Sequence, residues 1–454
     1  MSISRVLVAN RGEIAVRVIK ACQALRLQSV LAVSEADRKS MAAQMADRVV
    51  CIGPARAAES YLKIEALVSA ALGTGADALH PGYGFLAEEP KLAEACAEHG
   101  IRFIGPSAES IRLMGNKLEA RALAAKNGIP IAAGSMKVHN LEEALRTARE
   151  IGFPLLFKAA AGGGGRGIKI VSSEAGLAEA FSTAGAEARA AFGDDTLYME
   201  RYIANARHIE VQVFGDRFGN VIHFGERDCS LQRRHQKIVE EAPAPNLPDQ
   251  RRRQIHLAAV ALAKKIGYEN AGTVEFIFDR DSGGFYFLEM NTRIQVEHPV
   301  TEMITGVDLV QEQIRVAGGE PLSVSQSDVR FTGHAIECRI NAESPQHGFR
   351  PSPGLLSRWE PPTGEGVRLD SHCFAGYVIP PFYDSLMGKL ITHGPTRAEA
   401  LSRMREALAS FVFDGVETNI PFLRAVIDHP DYVNADVNTT WLERNLATLS
   451  APAG

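Results

Sequence analysis

Short apolar runs alternate with amphipathic segments over the first hundred residues. RVLVA (5–9) and SVLAV (29–33) are typical of buried strands, and the apolar positions 14, 15, 18, 19, 22 and 25 between them share one helical face. VVCI, ADAL and IRFI repeat the strand pattern, with helix-like segments at 61–72 and 88–99. Because strands that alternate with helices form parallel sheets, this pattern predicts an open, doubly wound α/β sheet.

The pattern changes after residue 108. A helical stretch (108–127) leads to a strand, a glycine-rich tip, a second strand, a helix and a third strand, after which hairpins dominate. The tail mixes alternating strands, Pro/Gly turns and a helix near 397–410. We predict a multidomain α/β and α+β fold. Its expected parts are a doubly wound N-terminal domain (1–113), a central region (114–332) with a lid at about 131–203, and a C-terminal domain (333–447).

Composition narrows the class of protein. The 454 residues are 46% apolar and 23% charged, with a net charge of −5, so no general nucleic-acid-binding surface is expected. The six cysteines form no C-x-x-C pair, which favours free thiols in a reducing compartment. Arg5, Arg11 and Glu13 come too early for a signal peptide, and no apolar run approaches the roughly 18 residues of a membrane span. We therefore expect a cytoplasmic protein without membrane contact.

A glycine run follows the apolar segment FPLLFK. Gly162-x-Gly164-x-x-Gly167 has the spacing of a dinucleotide-binding fingerprint. That fingerprint needs a helix after the glycines, whereas IKIV (168–171) is typical of a strand. The run therefore predicts a hairpin tip whose backbone N–H groups cover phosphates, with Lys158 adding a positive charge. A merely flexible loop remains the alternative.

Two carboxylates are expected to face each other across the hairpin 273–291. Glu275 and Glu289 each lie seven residues from Ser282 in the turn, and Asn291 is one same-face step beyond Glu289. Cross-strand neighbours lie about 5 Å apart, so the two carboxylates repel unless a cation lies between them. An oxygen set of this kind suits Mg²⁺. The alternative is a solvated pair of edge residues.

The segment NTRIQVEHPVTE follows this hairpin directly. If it is extended, Asn291, Arg293, Gln295 and Glu297 point to one face. A guanidinium, an amide and a carboxylate on one face can hold a small planar anion beside a base. An ordinary polar strand face is the alternative.

Two further charged segments leave their roles open. RDCSLQRRHQKIVEE groups cations that could serve a phosphate or a second anion, although most charge runs are solvated faces. In GHAIECRIN, alternation places Glu337 and Arg339 on the same face. The spacing allows either an exposed ion pair or an Arg339 side chain that points into the site.

These motifs together resemble a known family. NRGEIA, HPGYGFLAE, GGGGRG, RDCSLQRRHQK, EAPAP, EMNTRIQVEHPVTEMITG and HAIECRINAE occur in the order found in the biotin carboxylase family of the ATP-grasp superfamily, over nearly the whole chain. The resemblance implies a Rossmann-like N-terminal domain, ATP-grasp central domains with a mobile lid, and a C-terminal biotin carboxylase domain. It also implies ATP-dependent carboxylation of a protein-bound biotin by bicarbonate, through carboxyphosphate.

The resemblance implies a role for individual residues. Those implied to bind ATP are Lys117, Lys158, Gly164, Gly165, Glu200, Arg201, Tyr202, Ile203, His208, Gln232 and His235. Those implied to bind two Mg²⁺ or Mn²⁺ ions are Glu275, Glu289 and Asn291. Those implied to bind bicarbonate are Lys237, Arg293, Gln295, Val296 through its backbone, and Glu297. The implied catalytic set is Lys237, Arg293, Glu297 as general base, and Arg339, which also binds biotin.

Three positions depart from the family pattern. Arg201 replaces the usual lysine, which should matter little because part of that adenine contact is made by the backbone. KAAAGGGG replaces KASGGGGG, so Ala160 lacks a hydroxyl and Ala161 shortens the glycine run. The changes at Ala160 and Ala161 both bear on how the lid contacts phosphates.

Three rival functions share parts of this pattern. A carbamoyl-phosphate synthase half or a peptide-type ligase would share the lid and the metal hairpin, but neither is expected to join RIQVEH to a CRINAE tail. An ATP-binding module without catalysis should have lost its metal ligands or its base. The implied ligands and base are all present, as Glu275, Glu289, Asn291 and Glu297.

The expected partners are other subunits. The closest match to a biotin-attachment turn, Ser135-Met136-Lys137-Val138, lies at the edge of the lid without room for a separate biotinyl domain. Because the chain ends soon after the tail, we expect a separate biotin carboxyl carrier protein and carboxyltransferase, and the family implies a homodimer. Acetyl-CoA is the expected final acceptor, as in fatty acid synthesis, with other acyl-CoAs or 2-oxoacids as alternatives.

Overall fold

The N-terminal segment folds as its apolar pattern predicts. The computed structural model describes residues 3–160 and 168–450, except for the side chain of Phe192. The parallel sheet has the order β3-β2-β1-β4-β5, with buried apolar residues of the helices covering both faces. Its elements are β1 (Arg5–Val8), α1 (Gly12–Ala24), β2 (Gln28–Ser34), α2 (Met41–Met45), β3 (Arg48–Gly53), α3 (Ile64–Thr74), β4 (Ala78–His80), α4 (Pro90–Glu98) and β5 (Arg102–Phe103).

A helical connection and a small three-stranded layer follow. The helix predicted over 108–127 is two helices, because the Asn116 side chain caps a new helix by accepting from the backbone N–H groups of Leu118 (3.2 Å) and Glu119 (3.3 Å). The small sheet has the order β7-β6-β8. Its glycine-rich tip, with Gly164 and Gly165, lies outside the described residues. The elements are α5 (Ala108–Gly115), α6 (Lys117–Lys126), α7 (Leu141–Ile151), β6 (Leu155–Ala159), β7 (Lys169–Val171), α8 (Leu177–Phe192) and β8 (Leu197–Arg201).

The predicted hairpins form four adjacent strands at one end of an eight-stranded sheet. The hairpins over 206–233 and 270–291 are present, but the pattern analysis missed three helices, at 249–265, 298–305 and 309–318. The elements are β9 (Ala206–Gly215), β10 (Val221–Arg233), β11 (Gln236–Ala242), α9 (Asp249–Lys265), β12 (Asn270–Asp279), β13 (Phe285–Asn291), α10 (His298–Thr305) and α11 (Leu309–Gly318).

The tail contributes strands to the same sheet. Its order is β13-β12-β9-β10-β11-β14-β21-β19, so strands from both sides of residue 332 share one hydrogen-bonded layer. The helix expected near 397–410 is present and begins with a capping box of Thr396 and Glu399. The tail elements are β14 (His334–Asn341), β15 (Glu343–Ser344), β16 (Arg350–Pro351), β17 (Gly354–Leu355), β18 (Arg358–Glu360), β19 (Val367–Ser371), β20 (Val378–Ile379), β21 (Leu386–Gly394), α12 (Arg397–Ser410), β22 (Val412–Asp414), α13 (Ile420–Asp428), α14 (Pro430–Val433) and α15 (Trp441–Leu449).

The length and polarity of the helices decide whether any of them could cross a membrane. Over residues 3–160 and 168–450, every helix is too short or too polar to cross a bilayer. The polar residues that the sequence singled out lie on α6, on the small and the large sheets with their adjoining turns, and on the segment between β13 and α10.

Candidate active site

Three glutamates lie in one row across neighbouring strands of the large sheet. Glu275 of β12 is paired in register with Glu289 of β13 on one side and with Glu210 of β9 on the other. The facing pair that the sequence predicted is therefore present, and Glu210 extends it. Side chains at paired positions of adjacent strands lie on the same face, so the row concentrates negative charge.

Lys237 of β11 neutralises much of this charge. Its ammonium group donates to Glu275 (2.9 Å), Glu297 (2.7 Å) and Glu210. Burial by itself lowers the pKa of Lys237, but the carboxylates outweigh it and hold the pKa well above its usual value. The lysine is therefore a permanently charged group at the centre of the cluster.

His208 approaches the same carboxylates from β9. Its Nε2 atom lies 3.2 Å from a Glu275 oxygen and 3.6 Å from a Glu210 oxygen. Burial lowers the pKa of His208, and the Glu275 charge more than compensates, raising it to about 9. Although burial raises the pKa of Glu275, the charges of Lys237 and His208 hold it far below the usual range. Glu275 is thus an anion at neutral pH.

The segment between β13 and α10 is bent, so the extended conformation on which the one-face arrangement was conditional is not present. The chain leaves the sheet after Asn291, turns through 292–297 and enters α10 at His298, with Pro299 in the first helical turn. Proline favours that position because its missing N–H has no partner there anyway. The side chains nevertheless converge: Arg293 donates to Gln295 (3.2 Å) and to Asn291 (3.1 Å).

An N-terminal residue that the pattern analysis did not single out holds this segment in place. Glu88 accepts from the Arg293 guanidinium (2.9 Å) and from the backbone N–H of Thr292 (3.0 Å). Gln295 in turn donates to Glu275 (3.1 Å). Glu88 is the last residue of the HPGYGFLAE motif, so its membership of that motif was the available signal.

Glu297 is fully buried between two cations. One carboxylate oxygen accepts from Lys237 (2.7 Å) and lies 3.8 Å from the Cys229 sulfur, while the other accepts from Arg339 (3.0 Å). Burial raises the pKa of Glu297, but Lys237 and Arg339 together hold it below its usual value. Glu297 is therefore an ionised carboxylate able to accept a proton.

Arg339 points into the site, which settles the choice that its spacing left open. Its side chain is 18% exposed and pairs with Glu240 (2.6 Å) as well as Glu297. Glu337, the neighbour that alternation suggested as a partner, is fully buried, and within residues 3–160 and 168–450 neither of its oxygens has a hydrogen-bond partner. Burial raises the pKa of Glu337 well above its usual value despite the nearby Lys389.

The predicted metal ligands fit a hard divalent ion in their chemistry. Glu275 and Glu289 face each other, and Lys117 lies 3.6 Å from Glu289. Asn291 turns its amide nitrogen toward Glu275 (2.8 Å) and its oxygen toward Arg293, so it must reorient to join an oxygen set. Two facing carboxylates with further oxygens from phosphate and water match the preference of Mg²⁺.

The predicted ATP-binding residues lie in two groups. Lys158 of β6 is ion-paired with Glu200 of β8, and Arg121 of α6 contacts the same carboxylate, a contact not foreseen from the sequence. Arg201 is exposed at the end of β8, directly before Tyr202 and Ile203. In the second group His208 and Gln232 lie on β9 and β10, with exposed His235 in the turn between β10 and β11.

Comparison with known proteins identifies the class first. Residues 116–325 match the family model "Carbamoyl-phosphate synthase L chain, ATP binding domain", in agreement with an ATP-dependent ligase of ATP-grasp architecture. The flanking residues 2–111 and 337–444 match "Biotin carboxylase, N-terminal domain" and "Biotin carboxylase C-terminal domain". The flanks separate this chain from a carbamoyl-phosphate synthase half.

Full-length relatives narrow the assignment. Biotin carboxylase 1 of Bacillus subtilis is 52% identical over 442 residues, which cover 97% of this chain and 98% of that protein. Biotin carboxylase of Nostoc is 51% identical over 444 residues, covering 98% and 99%. The chain therefore belongs to the biotin carboxylase family.

Solved structures agree with this assignment. A biotin carboxylase–β-γ-ATP complex from Campylobacter jejuni has a TM-score of 0.95 at 47% identity, covering 97% of this chain and 99% of that one. The biotin carboxylase domain dimer of Hydrogenobacter thermophilus 2-oxoglutarate carboxylase, with MgADP, ADP and bicarbonate, has a TM-score of 0.95 at 48% identity, and each chain is covered completely. The predicted multidomain fold and ATP-dependent ligase activity are confirmed.

Proposed function

We propose that this chain uses ATP and bicarbonate to carboxylate biotin on a separate carrier protein, giving ADP, phosphate and carboxybiotin. One observation carries the proposal: buried Glu297 and the partly buried Lys237 and Arg339 form a cluster that joins the Glu275–Glu289 pair to the Arg293 segment. Lys237 thus contacts both Glu275 of the proposed metal pair and Glu297, the proposed base beside bicarbonate. A reaction between bicarbonate and ATP requires the two sites to adjoin in this way.

The nucleotide would lie over the carboxylate row. Lys117, Lys158 and His235 would meet its phosphates together with Gly164 and Gly165, and the segment 200–203 with His208 and Gln232 would hold adenine and ribose. Glu275, Glu289 and Asn291 would hold two Mg²⁺ or Mn²⁺ ions, which supply positive charge to the triphosphate when bound. Phosphoryl transfer depends mainly on positioning and electrostatics, which this set of charges provides.

Bicarbonate would lie between Lys237, Arg293, Gln295 and the backbone of Val296. Glu297 would take the bicarbonate proton, so that a bicarbonate oxygen forms a bond to the γ-phosphorus while the bond from that phosphorus to ADP breaks. The product, carboxyphosphate, is a mixed anhydride that water destroys, so the site must exclude water before the chemistry.

Arg339 and Arg293 would serve the second step. The ureido nitrogen of biotin is a poor nucleophile until it loses its proton and the charge moves to the ureido oxygen. A fixed guanidinium stabilises such an enolate-like anion as an oxyanion hole does, and losing one donor of that kind costs about 3 kcal/mol. The nitrogen then bonds to the carboxyl carbon as the bond from that carbon to the phosphate oxygen breaks, and the phosphate takes the ureido proton.

The final acceptor and the partners belong to the same proposal. We take acetyl-CoA as the acceptor, with a carrier protein, carboxyltransferase subunits and a homodimer of this chain. The Hydrogenobacter relative is a 2-oxoglutarate carboxylase domain dimer, and a further relative is a pyruvate carboxylase subunit, so 2-oxoacids are the competing acceptors. Purification from native cells with identification of the accompanying subunits tests this choice, and a 2-oxoacid-specific carboxyltransferase would overturn it.

The activity itself has a simple test. ATP hydrolysis by the purified chain should require bicarbonate and should rise when free biotin is added. Hydrolysis that ignores biotin would indicate another ATP-grasp ligase, and no hydrolysis would indicate a binding module.

A further inference from the structure

Lys389 is a fully buried lysine in the middle of the C-terminal strand β21. In register, it is paired with Arg339 of β14 on one side and with Asp370 of β19 on the other. Its side chain therefore rises from the same face of the sheet as Arg339. A buried charge is costly unless it is paired and hydrogen-bonded, so its contacts are informative.

The ammonium group of Lys389 contacts the segment expected to bind bicarbonate. It donates to the backbone carbonyl of Val296 (2.9 Å) and lies 3.1 Å from a carboxylate oxygen of Glu13 in α1. Tyr83 donates its hydroxyl to that same Glu13 oxygen. One lysine of the C-terminal segment thus joins the N-terminal domain to the peptide bond between Val296 and Glu297.

The backbone carbonyls of Gln295 and Val296, in the centre of this segment, both accept hydrogen bonds from other parts of the protein. The carbonyl of Gln295 accepts from the backbone N–H of His298 (3.3 Å) and lies 2.8 Å from its Nδ1 atom, and Lys389 holds the next carbonyl. In a trans peptide unit the N–H points opposite to the C=O. Fixing these carbonyls therefore fixes the directions of the Val296 and Glu297 N–H groups.

We propose that Lys389 is a positioning residue for the carboxylation reaction, holding the 296–297 peptide so that Val296 and Glu297 meet bicarbonate in the productive geometry. This role rests on the proposed function. Lys389 would act only through the segment, because its ammonium group is engaged by the Val296 carbonyl and Glu13. The 292–297 segment has no regular secondary structure, so contacts from other parts of the chain are needed to fix the orientation of its peptide planes.

A purely stabilising ion pair is the competing explanation. Removing one member of a buried pair leaves an uncompensated charge and destabilises a protein whether or not the pair is near a site. The two explanations can be distinguished in a variant that lacks both charges of the pair and also lacks the hydrogen bond to the Val296 carbonyl. A purely stabilising pair predicts normal bicarbonate binding in that variant, whereas a positioning role predicts that binding stays weak.

The test compares Lys389→Met with the double variant Glu13→Gln/Lys389→Met. Methionine is similar in length and lacks the donor, and the second change removes the carboxylate that would be left alone. We expect the KM for bicarbonate to rise about tenfold or more in both variants and the KM for ATP to change less than about twofold, because misplacement of a binding group by about 1 Å can cost a factor of 100. The melting temperature should fall in the single variant and recover in the double one.

Lys265→Met provides a matched control, because Lys265 is an exposed lysine at the end of α9. It should leave both KM values and the melting temperature unchanged. If Lys389→Met does not fold, the double variant carries the test, supported by faster hydrogen exchange of residues 292–297. A bicarbonate KM that stays at the wild-type value, or that recovers together with the melting temperature, would overturn the positioning role. Wild-type ATP hydrolysis without bicarbonate dependence would overturn the proposed function as well.

Discussion

Replacing Glu297 by glutamine removes a negative charge and a base while keeping the size of the side chain. We expect the Glu297→Gln variant to bind ATP as the wild type does and to lose bicarbonate-dependent turnover. The binding expectation follows from the geometry, because Glu297 contacts Lys237, Arg339 and Cys229, none of which belongs to the lid or to the segment 200–203.

The contacts of Glu297 set the expected size of two effects of this substitution, one on stability and one on turnover. Glu297 accepts two charge-assisted hydrogen bonds, each worth about 1.5–3 kcal/mol to stability. The cations are not stranded by the change, since Lys237 keeps Glu210 and Glu275, and Arg339 keeps Glu240. The glutamine oxygen can still accept one of these two hydrogen bonds, so we expect the free energy of unfolding to fall by about 1.5–3 kcal/mol, the worth of the other one. A positioned general base contributes a factor of about 10² to 10⁴, so turnover should drop at least that far.

The assay pairs calorimetric ATP binding with phosphate release at saturating bicarbonate. Glu320→Gln, which changes an exposed glutamate after α11, controls for the loss of one carboxylate and should behave as wild type. Turnover within about threefold of wild type in Glu297→Gln, against the expected factor of 10² or more, would remove Glu297 from the role of base.

Three further changes test other parts of the site and fold. Lys237→Met leaves three buried carboxylates facing one another and should lower the free energy of unfolding by about 3–5 kcal/mol in urea titrations; no change would contradict the pairing. Glu289→Gln should raise the Mg²⁺ or Mn²⁺ concentration needed for ATP hydrolysis about tenfold, and EDTA should abolish hydrolysis, whereas an unaltered metal titration would exclude Glu289 as a ligand. Burial raises the pKa of Glu241, but His334 and Arg397 lower it to about 2, from a usual 4.5. Its contribution of about 3 kcal/mol is present above pH 5 and is lost as the pH falls toward 2, so the stability gap between wild type and Glu241→Gln should narrow on acidification. A gap that is constant from pH 7 to pH 4 would refute this linkage.

The facing carboxylates are in register as predicted, but equal spacing from the turn is not what places them. Next to the turn Phe276 pairs with Phe287, so an unbroken hairpin would set Glu275 opposite Leu288; a register shift between Glu275 and Phe276 brings Glu289 opposite Glu275 instead. Arg339 shows the limit of such rules. Alternation gave its face correctly, but only the neighbouring strand β11, which carries Glu240, determines what that face meets.

The bend at 292–297 could not be derived from alternation. Polar residues at every second position predict an extended strand, but this segment has no neighbouring strand in the structure and leads directly into α10. Pro299 was the local signal for that helix. The missed helix α9 has a similar cause, because its charged first turns DQRRRQ mask the apolar face that follows.

Contacts between distant parts of the chain explain why the site needs all of it. The 292–297 segment is held by Glu88 from the N-terminal domain and by Lys389 from the C-terminal strands, and its base is paired with Arg339. Neither holding residue is near the segment in sequence, and neither belongs to the part of the chain that carries the proposed ATP-binding residues. The geometry of the proposed bicarbonate segment therefore depends on the flanking segments being packed in place, because a short irregular segment cannot fix its own peptide planes. The eight-stranded sheet contributes to that packing, because β13 leads directly into the segment and β21 carries Lys389.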